Sequence, residues 1–143
     1  MSQDPVVRVT RRFRASPERV FDAFLDPAMA GRFMFRTPAG ELVRCEVDGR
    51  VGGRFTIVER RGDEDAEHLG EFVRIERPRK LVFMFGNEGW DGEFSQVDID
   101  IAPAGDGCEL TLTHRMAPKW ADWVGRVEEG WTLILGNLGK ALG

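Results

Sequence analysis

Residues 6–13 alternate Val7, Val9, Arg11 and Phe13 against Arg8, Thr10 and Arg12. That period of two predicts a strand from Val6 to Phe13. The period then changes. Ser16 stands before Pro17, the order of an N-cap and a first-turn proline. Val20, Phe21 and Phe24 follow on one side of a helix from Pro17 to Leu25. Asp26-Pro27 breaks that helix, and Asp26 can cap a second short one from Pro27 to about Phe33. Two short helices cannot fill a core alone, so they must pack on another layer.

The middle of the chain reads as strands and turns. Strands are expected over Leu42 to Val47, Gly52 to Glu59, His68 to Glu76, Leu81 to Phe85, Phe94 to Ile101 and Cys108 to Arg115. Asp48-Gly49, Arg77-Pro78-Arg79 and Pro103 to Gly107 mark turns. Gly52 and Gly53 suggest a bulge. Arg60 to Glu67, charged and carrying Gly62, is expected to be a loop, as is Gly86 to Gly92 around Trp90. After Ala117-Pro118 the period returns to that of a helix. Trp120, Val124, Val127, Trp131, Ile134, Leu138 and Leu142 form one apolar stripe. Gly125, Gly130, Gly136 and Gly139 interrupt it, each costing about 1 kcal/mol relative to Ala in a helix interior.

The order is one strand, two short helices, six strands and a long helix. Short turns join the strands, so the sheet is mainly antiparallel. A sheet of that width must curl. The last helix is the one element long enough to fill its concave face. The predicted fold class is α+β, a helix gripped by a curved antiparallel sheet, in a single domain over 1–143 with a core over about 6–142.

Composition narrows the function classes. The chain has 143 residues, 42% apolar and 31% charged, which suits one globular domain. A net charge of −4 argues against a nucleic-acid surface. Arg8, Arg11, Arg12 and Arg14 crowd the first strand against that trend, and read as a solvated face with one inward arginine. Cys45 and Cys108 lack a paired spacing, so a reduced, cytoplasmic setting is expected. There is no apolar signal core at the N-terminus and no run long enough to span a membrane. The aromatics are 10 Phe and 4 Trp with no Tyr, so no phenol is available for proton transfer.

The chain resembles the family named after the activator of heat-shock-protein-90 ATPase, within the START-like (SRPBCC) superfamily of the helix-grip fold. The resemblance runs over about Val6 to Leu142. It is carried by Thr10-Arg11 with Ala15 to Phe21, then Asp26-Pro27, Asp48 to Phe55, Gly70-Glu71-Phe72, Glu76-Arg77-Pro78, Leu81-Val82-Phe83, Glu109 to His114, and Glu129-Gly130-Trp131. Two departures stand out. A counterpart of the co-chaperone's large chaperone-binding N-terminal domain is not expected, since the resemblance starts at the first strand. The Trp common after the first Asp-Pro is replaced by Ala30-Gly31-Arg32-Phe33. The resemblance implies the helix-grip fold and a role among carriers, cyclases, oxygenase subunits and co-chaperone domains.

This fold tends to leave a cavity between sheet and long helix, and apolar pockets with a few polar groups are the usual ligand sites. Alternation points Phe55, Ile57, Leu69, Glu71, Val73, Phe83, Phe85, Val97, Ile99, Leu110, Leu112 and His114 inward. Phe33 and Phe35 are expected near the mouth, with Trp120, Trp123, Val127 and Trp131 facing them from the helix and Trp90 nearby. His114 could act as an acid/base or a hydrogen-bond donor, or be a structural histidine. Glu71 would be a carboxylate on an apolar face, paired with Arg11 or another cation. His68 and His114 form no metal-ligand cluster, and Gly49 to Gly53 lacks nucleotide-loop spacing, so no metal or cofactor is expected.

The leading expectation is a binding protein for a small apolar or amphipathic molecule. The alternatives are a cyclase- or hydrolase-like enzyme using His114 and Glu71, or a co-chaperone-like module with a chaperone partner and a stress-response role. The sheet edges leave room for a homodimer.

Overall fold

The structure is a computed structural model, and it describes residues 5–87 and 95–142. Its elements are β1 (Val6–Phe13), α1 (Pro17–Leu25), α2 (Pro27–Phe33), β2 (Glu41–Val47), β3 (Arg54–Arg61), β4 (Glu64–Glu76), β5 (Lys80–Asn87), β6 (Ser95–Ala104), β7 (Gly107–Arg115) and α3 (Val124–Leu142). A turn of 3-10 helix, Pro118–Trp123, precedes α3.

The seven strands form one antiparallel sheet in the order β1-β7-β6-β5-β4-β3-β2. Strands β1 and β2, neighbours along the chain, therefore occupy opposite edges, and α1 and α2 span the distance between them. The caps are those the sequence predicts. The Ser16 hydroxyl accepts from the Arg19 N–H at 3.2 Å, and the Asp26 carboxylate accepts from the Ala28 N–H at 2.9 Å.

The core lies on the inner face of the sheet. Phe24 and Phe33 meet edge to face at 5.1 Å and pack with Phe55, Phe72 and Phe83. The void left among these rings is about 10 Å³, at the lower limit for one water. This half of the interior is filled, and Phe33, Phe55 and Phe83 are buried within it. Trp131, Ile134, Leu135 and Leu138 seat α3 on the rest of the core.

Several expectations are corrected. The stretch Arg60–Glu67 is a hairpin and not a loop: β3 and β4 pair out to Arg61 and Glu64. Gly62, at the first of two turn positions, has φ +65°, as a tight hairpin of this hand requires. Gly52 and Gly53 belong to the turn before β3. The bulges lie elsewhere, between Leu42 and Arg44 and between Phe72 and Arg74.

The second bulge inverts the inner face of β4. An extra residue in one strand shifts every side chain before it to the other face. Thus His68, Gly70 and Phe72 face inward, beside Ile57, Phe55 and Phe83, while Leu69 and Glu71 face outward. Val73, at the bulge itself, is exposed as well.

Candidate functional site

At the end of the inner face away from the filled core, β4 and β5 diverge from α3. The opening is a cleft of about 270 Å³, lined chiefly by Phe35, His68, Phe85, Val127, Gly130 and Trp131. Its rim carries Arg36, Thr37 and Arg61. The rings are ordered. Phe35 stacks on His68 with centroids 4.2 Å apart and planes 5° from parallel, and on Phe85 at 5.0 Å and 12°. Trp131 closes against Phe35 and Phe85 at 5.7 and 6.1 Å.

Phe35 adopts φ 54°, the left-handed region that a bulky side chain seldom enters. Strain of this kind persists only where its surroundings fix it. Here the fixing group is Glu59, 0% exposed although it carries a charge. Its carboxylate accepts from Thr37 N–H at 2.8 Å, Thr37 Oγ1 at 2.7 Å, Arg36 Nε at 3.1 Å and Arg61 Nε at 2.8 Å. Arg61 also donates to the Phe35 carbonyl at 3.3 Å, and Arg36 to that of Gly31 at 2.9 Å. Burial by itself would raise the Glu59 pKa, but the bonds from Arg61, Thr37 and Arg36 outweigh it and hold the carboxyl below its ordinary value. One carboxylate faces two guanidiniums, so the rim keeps one surplus positive charge.

His114 lies under the cleft, fully bonded. The Trp131 indole N–H donates to Nδ1 at 2.9 Å. An indole nitrogen can only donate, so Nδ1 holds a lone pair and the neutral ring carries its proton on Nε2. Nε2 lies 2.6 Å from Ser95 Oγ, which in turn donates to the Phe85 carbonyl at 3.3 Å. The Ser95–His114 pair superficially resembles a nucleophile with its base. Its polarity is reversed, because Nε2 donates and cannot take the serine proton. Burial pushes the His114 pKa down to about 4, consistent with a ring held neutral.

His68 differs. Its Nδ1 is buried and has no hydrogen-bond partner among the described residues. Burial, and next the charge of Arg61, push its pKa down to about 4. The charge of Glu59 and hydrogen bonding to the backbone of Ile57 and Ala66 act in the opposite direction, so the ring faces main-chain groups as well as the Phe35 and Phe85 rings.

The structure brings together Phe35, Phe85, Val127, Trp131 and His114 among the residues singled out in the sequence. It separates the others. Glu71 stands on the outer face, half-exposed and 3.7 Å from Arg54, not paired with Arg11. Glu71 and His114 therefore lie on opposite faces of the sheet and cannot form one acid/base pair. Trp120 and Trp123 are 41% and 45% exposed and touch edge to face at 6.3 Å, before α3 begins. Trp90 lies outside the described residues. Sequence reasoning missed Glu59, His68, Arg36, Thr37 and Arg61. His68 follows from the alternation of β4 once the bulge is placed, whereas the Glu59 hub needs Arg36 and Thr37, which precede it by over twenty residues, as well as Arg61 on its own strand.

Among the described residues no group of His, Cys, Asp and Glu is arranged to hold a metal ion, and no helix is long and apolar enough to cross a membrane.

The backbone is similar to several solved structures. Protein NE0264 from Nitrosomonas europaea superposes with a TM-score of 0.84 at 16% identity, covering 99% of this chain and 96% of that one. Protein SA2116 from Staphylococcus aureus, of unknown function, gives 0.85 at 13% identity, covering 97% and 93%. DynU16, a protein in the dynemicin biosynthetic locus, gives 0.76 at 21% identity, with 98% of this chain on 48% of that one. At these identities the likeness establishes the fold. The sequence has no match among curated proteins. A family model described as activator of Hsp90 ATPase homolog 1-like protein matches residues 14–143. The match spans nearly the whole chain, and the chain belongs to that family.

Proposed function

We propose that the chain binds a small apolar or amphipathic molecule in the cleft between Phe35–Thr37, the facing ends of β4 and β5, and α3. The observation that carries this reading is the Phe35–His68–Phe85 stack, open to about 270 Å³ of space. The family and its fold support a ligand-binding role.

The chemistry on offer is that of binding. The rings present flat apolar faces. His68 adds a flat face to the stack, and the rim supplies a surplus positive charge. The volume of about 270 Å³ lies just below the range of ligand pockets for drug-sized molecules, about 300 to 1,000 Å³, and so suits a small one. The ligand is thus a compact molecule with a flat apolar body and an anionic end.

Thermal-shift titration with naphthoate, supported by native mass spectrometry of the purified chain, tests the reading. Saturable stabilisation that Phe35→Ala abolishes is expected. Stabilisation absent throughout, or retained in Phe35→Ala, contradicts it.

A further inference from the structure

A second recess lies between β1 and the outer side of α3, bounded by the loop into α1. Its volume is about 680 Å³. The charged residues that line it are all basic: Arg11, Arg12, Arg14, Arg19 and Lys140. No carboxylate lines it among the described residues, in a chain of net charge −4.

Part of this charge is used locally. Arg19 Nη2 donates to the Leu142 carbonyl at 2.9 Å, and Lys140 sits in the last turn of α3. Both complement the negative end of the helix dipole, which amounts to roughly half a charge. Arg12 pairs with Glu109 at 3.2 Å on the exposed face. Arg11 and Arg14 have no carboxylate partner within the described residues. Arg11 is moreover placed: it takes the inward position opposite Leu110, its guanidinium carbon is 5.9 Å from the centre of the Phe13 ring, and it runs past Gly136 and Gly139. Small residues at these two positions of α3 keep the recess open over the guanidinium.

We infer that this recess is an anion site for a soluble molecule bearing adjacent phosphate groups, with Arg11 and Arg14 as its principal ligands. Guanidinium groups bind phosphate through paired, charge-assisted hydrogen bonds. The cations surround a hollow, which suits one compact polyanion. A bilayer or an extended nucleic acid would need them on a projecting face, and the chain's overall negative charge opposes both. This inference is independent of the cleft by Phe35, since the two sites share no charged residue.

The test is calorimetric titration of the full chain with inorganic tripolyphosphate at low and high ionic strength. One site is expected, weakened by salt. Each charge-assisted bond to phosphate is worth about tenfold or more in affinity. The double variant Arg11→Gln/Arg14→Gln should therefore lose at least that factor, and Arg8→Gln, on the opposite face of β1, should lose none. The double variant should also unfold no more easily than the parent, because it relieves like-charge repulsion. The inference is overturned by no binding to the parent chain, equal binding by parent and double variant, or binding to anionic vesicles in preference to tripolyphosphate. A double variant that unfolds more easily while binding unchanged makes these arginines packing residues and overturns it too.

Discussion

The indole N–H of Trp131 donates to Nδ1 of His114 at 2.9 Å, and this one bond decides what the histidine can do. It fixes the tautomer, turns Nε2 into a donor toward Ser95 and ties α3 to β7 beneath the cleft. His114 is a positioning residue. Trp131→Phe keeps most of the packing and removes the donor, leaving a buried acceptor without a partner. Such a group costs about 1–3 kcal/mol. Urea denaturation should show that loss, and the cleft should lose order beside Phe35 and Phe85.

Stability should depend on pH in a particular window. Both histidines have folded pKa values of about 4 against an ordinary 6.5. Between these values the unfolded chain holds more protons than the folded one, so stability rises with pH across the window. It is complete above about 6.5 and is lost as pH falls towards 4, by up to about 3 kcal/mol for each ring. His68→Phe keeps a ring in the stack and removes one of the two groups. Thermal unfolding in the upper part of this window, above the range where Glu59 and the other paired carboxylates take up protons, should then show roughly half the parent's slope.

Glu59 organises the rim. Glu59→Ala would leave Arg36, Arg61 and the Thr37 amide without their shared acceptor and release the strained Phe35. We expect a loss of about 3 kcal/mol, at the low end for a broken buried pair because both arginines reach solvent. Gly40→Ala should act on the same point, since a Cβ at residue 40 would overlap the Glu59 carboxyl group. Denaturation together with naphthoate titration should show both stability and binding impaired.

Glu71 supplies the contrast. It forms an exposed pair with Arg54 on the far face of the sheet. Glu71→Gln should change stability by less than about 1 kcal/mol, the ordinary range for such pairs. Naphthoate titration should show parent-like affinity.

Much of the fold was legible in the sequence because its signals are local. Ser16 and Asp26 cap the helices they precede, and the stripe from Val124 to Leu142 seats α3. The candidate site was less legible. Counting back from Ile75 in steps of two reaches Val73, Glu71 and Leu69, and the bulge between Phe72 and Arg74 breaks that count. The error exchanged Glu71 for His68. Glu59 continues the inward alternation of Phe55 and Ile57, but nothing near it in the sequence singles out a carboxylate there as a buried hub. Its burial depends on Arg36 and Thr37, which the fold brings to it from the other side of β2. Trp120 and Trp123 continued the helical spacing, yet the 3-10 turn before α3 rotates them to the surface.

Gly130 allows the most direct test of the cleft. It lines the opening, and a Cβ there would meet nothing within 4 Å, so a larger side chain can enter the space without distorting α3. Gly125, on the same helix, is equally open but lies away from the cleft. Replacing either by Leu should stabilise α3 by about 0.5–1 kcal/mol through helix propensity. The decisive measurement is calorimetric titration of Gly130→Leu and Gly125→Leu with naphthoate. The account predicts that Gly130→Leu unfolds at a higher temperature and binds at least tenfold more weakly, while Gly125→Leu gains stability and keeps parent affinity. Undiminished binding by Gly130→Leu would contradict it.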